Sequence, residues 1–246
     1  RQRTGFVENN GIDLGQESAE INGARLSETS LDIALSDTAA VDTTESTVKW
    51  KINADSLSIR NTGITVHLPG DTLNVTAWLG HVVAKRPKAD LGANSYQVAS
   101  LDWKDGQLKY DNRWEPEQAG FDYNHIALTD IDLGIESISY TPAGTSFYVR
   151  KTVMKEKSGL EIKELTGGVR LDSAYSHIQL PLMTLRTPDS NIMVETDMDF
   201  SVFNPSPASL AQGEKGNEGR MKLRLFAQLG KQDIERYAGN LPQKFM

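Results

Sequence analysis

Cysteine is absent from the 246 residues, which excludes a disulfide framework, a thiolate nucleophile and any zinc site built on thiolates. Long apolar runs are also missing. No stretch approaches the roughly 18 consecutive apolar residues of a membrane-crossing helix, and no charged-then-apolar segment opens the chain as an export signal would. Because the sequence begins at Arg1 rather than at methionine, the expectation is a piece of a longer chain, with any anchor or export signal outside it. Positive charge is scarce: 26 Lys and Arg stand against 33 Asp and Glu. That balance speaks against nucleic acid as a partner, since such binding rests on cations neutralising phosphates. No serine sits in a Gly-x-Ser-x-Gly elbow, and Gly167-Gly168 lacks the lysine and the strand-loop-helix setting of a phosphate loop.

What is present is alternation with a period of two. From Ile192 one side carries Ile192, Val194, Met198, Phe200 and Val202, and the other Glu195, Asp197, Asp199 and Ser201. Earlier, Ile131, Leu133 and Ile135 alternate with Asp130, Asp132 and Glu136, after which the parity flips and Ile138 and Tyr140 take over the apolar side. Such a flip predicts a bulge or bend. Val48 to Ile52, Leu57 with Ile59, Ile64 to Leu68, Leu73 to Leu79 and Met221 to Leu229 show the same one-sided pattern. Strands with one apolar and one wet face predict antiparallel pairing.

Punctuation fits this reading. Turns are expected at Leu68-Pro69-Gly70-Asp71, at Lys104-Asp105-Gly106 as a hairpin, at Thr141 to Gly144, at Lys155 to Gly159, at Thr166-Gly167-Gly168 and at Arg186 to Asn191. Ser36 to Ser46 reads as an exposed loop, and 204–220, with two prolines and three glycines among charges, as a long flexible one. The one helix expected spans Lys231 to Ala238, closed by Gly239 and capping the end of a sheet. The fold class is therefore all-β: elongated, mainly antiparallel sheets curled into a trough, or closed as a sandwich or jelly roll, with one short C-terminal helix. Residues 1–47 are expected as loosely ordered strands and loops, and 48–246 as the β-rich unit.

Candidate chemistry is thin. His67, His81, His125 and His177 show no metal-ligand spacing, so surface or loop roles are expected of them. Asp130 with Asp132 and Asp197 with Asp199 have the spacing of one strand's wet face, which an amphipathic strand requires in any case. Asn74-Val75-Thr76 matches a glycosylation acceptor but falls within a strand. Trp50 and Trp103 lie on apolar sides and are expected to be buried, whereas Trp78 and Trp114 are free to stack on sugars. No cofactor, metal or catalytic residue is expected.

Several strings carry a resemblance: Phe121-Asp122-Tyr123-Asn124-His125-Ile126-Ala127-Leu128-Thr129-Asp130-Ile131, Lys155-Glu156-Lys157-Ser158-Gly159-Leu160, Leu165-Thr166-Gly167, Leu185-Arg186-Thr187-Pro188-Asp189-Ser190-Asn191-Ile192 and Gly230-Lys231-Gln232-Asp233-Ile234. From about Val48 to Leu241 the chain resembles the TamB proteins of Bacteroides-type bacteria, members of the AsmA-like superfamily. The resemblance implies a periplasmic segment of a protein anchored in the inner membrane, a non-enzymatic part in outer-membrane biogenesis, and an Omp85-type outer-membrane partner reached through the parent chain. It also implies lipid transport, or outer-membrane protein assembly as in a translocation and assembly module, along an apolar groove.

The residues expected to face phospholipid acyl chains are Ile131, Leu133, Ile135, Ile192, Val194, Met198, Phe200, Val202, Leu223 and Leu225. Acyl chains need only aliphatic surface, so a sheet that curls without closing suits them. The alternatives are a closed β-sandwich with a dry core, serving as a structural or carbohydrate-binding module, and a glycan-acting enzyme resting on the carboxylates and free tryptophans. Exposed sheet edges also make self-association through strand pairing an expectation.

Overall fold

A computed structural model of the chain describes residues 4–34, 48–68, 72–174, 176–199 and 221–238. The expected loops at Ser36 to Ser46 and 204–220, the turn residues Pro69 to Asp71, and Phe200, Val202 and Gly239 lie outside these residues.

The described chain forms one sheet. Its strands are β1 (Thr4–Asp13), β2 (Ser18–Ser27), β3 (Ser30–Ala34), β4 (Lys51–His67), β5 (Leu73–Lys85), β6 (Lys88–Asp90), β7 (Ser95–Asn112), β8 (His125–Thr141), β9 (Gly144–Glu156), β10 (Glu161–Ile162), β11 (Glu164–Asp172), β12 (His177–Arg186), β13 (Asn191–Asp199) and β14 (Met221–Gln228). The main order is β1-β2-β4-β5-β7-β8-β9-β11-β12-β13-β14, so strands adjacent in sequence are mostly adjacent in space. Pairing is antiparallel except that β2 and β3 both run parallel to β4. Residues 4–34, read above as short strands and loops, are thus part of the same sheet. The path is open: β1 and β14 are its two edges and do not pair with each other.

Two turn readings are corrected. Lys104-Asp105-Gly106 is not a hairpin; β7 runs straight through it, and Asp105 sits at φ 51° as a bulge. Thr166-Gly167-Gly168 likewise lies inside β11, with Gly167 at φ 145°. The positive φ that Asp and Gly accept serves a bulge as well as a turn. The turns at Thr141 to Gly144 and after Glu156 form as expected. So does the bulge between Ile135 and Ile138, where Ser137 takes φ 54°.

Bulges at neighbouring positions line up into a seam across the sheet. Glu28, Asn61, Asp105 and Asp130 all have φ between 46° and 52°; Glu28 lies in the link between β2 and β3 beside β4, and Asn61, Asp105 and Asp130 lie on β4, β7 and β8, with Gly80 on β5 between Asn61 and Asp105. Asn61 Nδ2 donates to Glu28 Oε1 at 2.6 Å, and a Cβ on Gly80 would lie 2.4 Å from the Asp105 carbonyl oxygen. Asn and Asp accept the left-handed conformation at least cost among side-chain-bearing residues. Each bulge re-phases its strand. Apolar residues therefore stay on one face on both sides of the seam: Leu57 and Ile59 then Ile64 and Val66 on β4, Val75 and Ala77 then Val82 and Ala84 on β5, Leu101 and Trp103 then Leu108 and Tyr110 on β7. Bulges also raise the local twist and bend the sheet.

The sequence ends its described part in helix α1 (Lys231–Ala238), docked on the β12–β13 turn. Asp233, 2% exposed, accepts from the hydroxyls of Thr187 and of Ser190, the latter at 2.6 Å, while Gly230 N donates to Ser190 Oγ at 3.0 Å. Removing that carboxylate leaves two buried hydroxyls without their acceptor, which costs about 2 kcal/mol. Asp233→Ala is expected to release α1 from the sheet, read as faster amide exchange in 231–238 with β7–β9 unchanged.

Candidate functional site

The two faces of this sheet differ in chemistry, and the ladder registers show which residues share each. One row runs through directly paired residues from edge to edge: Val7, Ala24, Leu57, Ala84, Leu101, Ile135, Val149, Gly167, Met183, Val194 and Leu225. Every one of the eleven main strands contributes a residue, and none is polar. At roughly 4.8 Å between strands the row follows about 48 Å of sheet. A second row, from Ile12 to Met221, passes through Ile52, Tyr96, Tyr140, Leu171, Ile178 and Met198, its tyrosine rings 5.8 Å apart.

All eight described residues expected to face lipid lie on this apolar face. Ile135, Val194 and Leu225 belong to the first row and Met198 to the second; Leu223 lies between the rows, and Ile192, Leu133 and Ile131 lie on the far side of the first. Leu101, Trp103, Val149 and Met183 share this face; an apolar side was already expected for Trp103, and the rows that unite the four emerge only with the bulges and cross-strand registers.

Little of this face is sealed. Among the described residues the buried hydrophobic side chains are Ala54, Ala84, Ile131, Val149 and Leu160. The remaining apolar positions of β4–β13 are mostly half-buried, while Leu223 and Leu225 on β14 are 50% and 60% exposed. Elements approach one another extensively only as hydrogen-bonded neighbours. Even so, Thr152 and Val149 on the apolar face are buried where Arg150 and Lys151 beside them are exposed, the asymmetry of a single sheet curling toward its apolar side.

The opposite face carries Asp130, Asp132, Glu195 and Asp197, each in a cross-strand pair. Lys151 pairs with Asp132, Lys155 with Asp130 at 2.8 Å, His177 with Asp197 at 2.9 Å and Arg224 with Glu195 at 3.1 Å. Arg150 reaches both Asp102 and Glu136, lying across Gly134, where a Cβ would come within 2.7 Å of its guanidinium. Exposed pairs like these contribute roughly 0–1 kcal/mol each. They make the face wet.

His67, His125 and His177 are held in structural contacts, whereas His81 on β5 has a buried Nε2 with no hydrogen-bond partner among the described residues. His67 Nδ1 lies 2.6 Å from Asn74 Oδ1, and Asn74 is itself buried, which makes it a poor glycosylation acceptor. His125 Nδ1 lies 2.9 Å from Asp122 Oδ2 in the loop before β8. Burial is the largest influence on Asp122 and pushes its pKa up, but the N–H groups of Gln118 and Asn124 together with His125 outweigh it and leave the carboxyl below its ordinary 3.8. A folded-state pKa below the unfolded one stabilises fully above the unfolded value and is lost as pH falls through the folded one. The wild-type denaturation midpoint is therefore expected to drop below pH 4 more steeply than that of Asp122→Asn.

Trp103 stands on the apolar face, half-buried, its indole covering Gly106; Trp78, 41% exposed, is on the polar face and Trp114, 76% exposed, in the loop after β7. Trp78 lines a depression with Lys104, Gln107 and Asp130 that does not include Trp114. Among the described residues no group of three metal-ligating side chains and no helix long and apolar enough to cross a membrane is found. Comparison with models of protein families, with characterised proteins and with solved structures finds no match for this chain.

Proposed function

We infer that this chain is a non-enzymatic, lipid-conducting or lipid-shielding segment, its apolar sheet face offered to phospholipid acyl chains. The observation that carries this is the unbroken apolar row from Val7 to Leu225 on a face with few sealed side chains. Covering apolar surface stabilises by about 25 cal/mol per Å². An acyl chain lying on the row is stabilised in this way without any fixed hydrogen-bond partner, and a path along which lipid slides has few such partners.

The TamB-like strings add a setting: a periplasmic stretch of a parent protein anchored in the inner membrane, working with an Omp85-type partner in envelope biogenesis. The paired carboxylates and the contacts that hold His67, His125 and His177 support a non-enzymatic role. The half-buried state of the apolar rows argues against a dry sandwich core.

Native mass spectrometry of the purified chain, with organic extraction of whatever dissociates, tests the inference. Phospholipid adducts at defined stoichiometry are expected. A bare mass under gentle conditions, with no adduct after incubation with phospholipid, would overturn it.

A further inference from the structure

On the polar face, opposite the apolar rows, the ladder between β11 and β12 opens. The register slips between Gly167 and Arg170, where Pro181 and Leu182 bulge from β12. The opening leaves a depression of about 440 Å³ spanning β9, β11 and β12. Its floor is Gly168. Pro181 and the Tyr148 ring stand on either side, 3.6 and 3.9 Å from where a Cβ on Gly168 would lie, and Tyr148 is 47% exposed. Thr166 and Thr184 are paired across one end, and Arg170 and Ser146 across the other.

Arg150, Lys151, Arg186 and Arg224 are all in ion pairs, whereas Arg170, like Lys222 two strands beyond β12 in the same cross-strand line, is exposed and in none among the described residues. The nearest carboxylate on its own strand face, Asp172, is occupied by Ser176 and by the N–H of His177. Thr166, Gly168 and Arg170 project on the same side at steps of roughly 6.6 Å, so about 13 Å separates the Cα atoms of Thr166 and Arg170.

We propose that this groove binds an acidic sugar unit, its ring against Tyr148 and Pro181, its hydroxyls on Thr166 and Thr184, and its carboxylate on Arg170. An aromatic and a proline ring flanking a side-chain-free floor suit the C–H face of a pyranose. The free guanidinium fork suits a carboxylate, which it binds through two parallel hydrogen bonds. An extended peptide suits the groove less well, because the backbone of β11 at Gly168 to Arg170 is already paired with β9. The site lies on the face opposite the proposed lipid surface and does not depend on it.

The test uses the full chain on a glycan array carrying uronic- and sialic-acid oligosaccharides beside neutral counterparts. Binding to acidic glycans is expected, reduced at least tenfold in Arg170→Gln and in Tyr148→Ala, with lipid adducts in native mass spectrometry unchanged. Both side chains are exposed, and an unchanged melting temperature certifies the variants. No glycan binding, equal binding to neutral glycans, or acidic-glycan binding that survives Arg170→Gln would overturn the proposal.

Discussion

Gly167→Ala is expected to lower stability by about 3 kcal/mol or more, which for a chain of this size is roughly 6–12 °C in melting temperature. Gly167 lies inside β11, between Val149 on β9 and Met183 on β12, at a φ of 145° that side-chain-bearing residues rarely adopt. A Cβ there would sit 2.3 Å from the Leu182 carbonyl oxygen and 2.8 Å from Met183 Cα. Both obstacles are backbone, so no side-chain rotation relieves them. The next residue is the control. At Gly168 the nearest atoms to an added Cβ are 3.6 Å away, an ordinary contact, and Gly168→Ala is expected to cost under about 1 kcal/mol. Equal effects of the two substitutions in a denaturant melt would show that β11 does not make this close approach to β12.

The second large effect concerns lipid. Leu57 and Leu225 belong to the edge-to-edge apolar row, and at 36% and 60% exposure each tolerates a charge without unfolding the sheet. An acyl chain over an aspartate strips the carboxylate of water, which costs several kcal/mol and outweighs the stabilisation from covering the neighbouring aliphatic surface. The double variant Leu57→Asp, Leu225→Asp is expected to lose at least nine-tenths of co-purifying phospholipid while keeping the wild-type circular dichroism. Retention of lipid by a folded double variant would move the binding surface off this row. Lys151→Asp with Lys155→Asp, on the opposite face, is expected to leave lipid unchanged.

Much of the architecture was legible because a period of two is a direct consequence of the pleat. The runs at Ile131 to Ile135 and Ile192 to Met198 placed their apolar residues on one face, and the parity flip before Ile138 marked the bulge at Ser137. What misled was local backbone preference. Asp105-Gly106 has the chemistry of a two-residue hairpin, yet the same left-handed preference serves a bulge inside an 18-residue strand. The deciding signal was present but distributed. Leu101 and Trp103 flip to Leu108 and Tyr110 across Asp105, just as Val82 and Ala84 flip from Val75 and Ala77 across Gly80, and a flip shared by two neighbouring strands is a seam, not a turn. Parallel pairing of β2 and β3 with β4 had no such signal, since direction is set by the connection and not by alternation. The groove beside Arg170 was hidden for a similar reason: Tyr148, Gly168 and Pro181 come from three strands and meet only through their register.

If acyl chains lie on the apolar face, Trp103 reports on them from within it. Its indole stands on that face in line with Ile59, Val82 and Leu133. In a variant carrying Trp50→Phe, Trp78→Phe and Trp114→Phe, Trp103 is the sole indole. Its fluorescence is to be measured with phospholipid bearing brominated acyl chains and with the unbrominated lipid. Emission falling by more than half with the brominated lipid alone is the expected result; identical emission with the two lipids would contradict the assignment of this face to acyl chains.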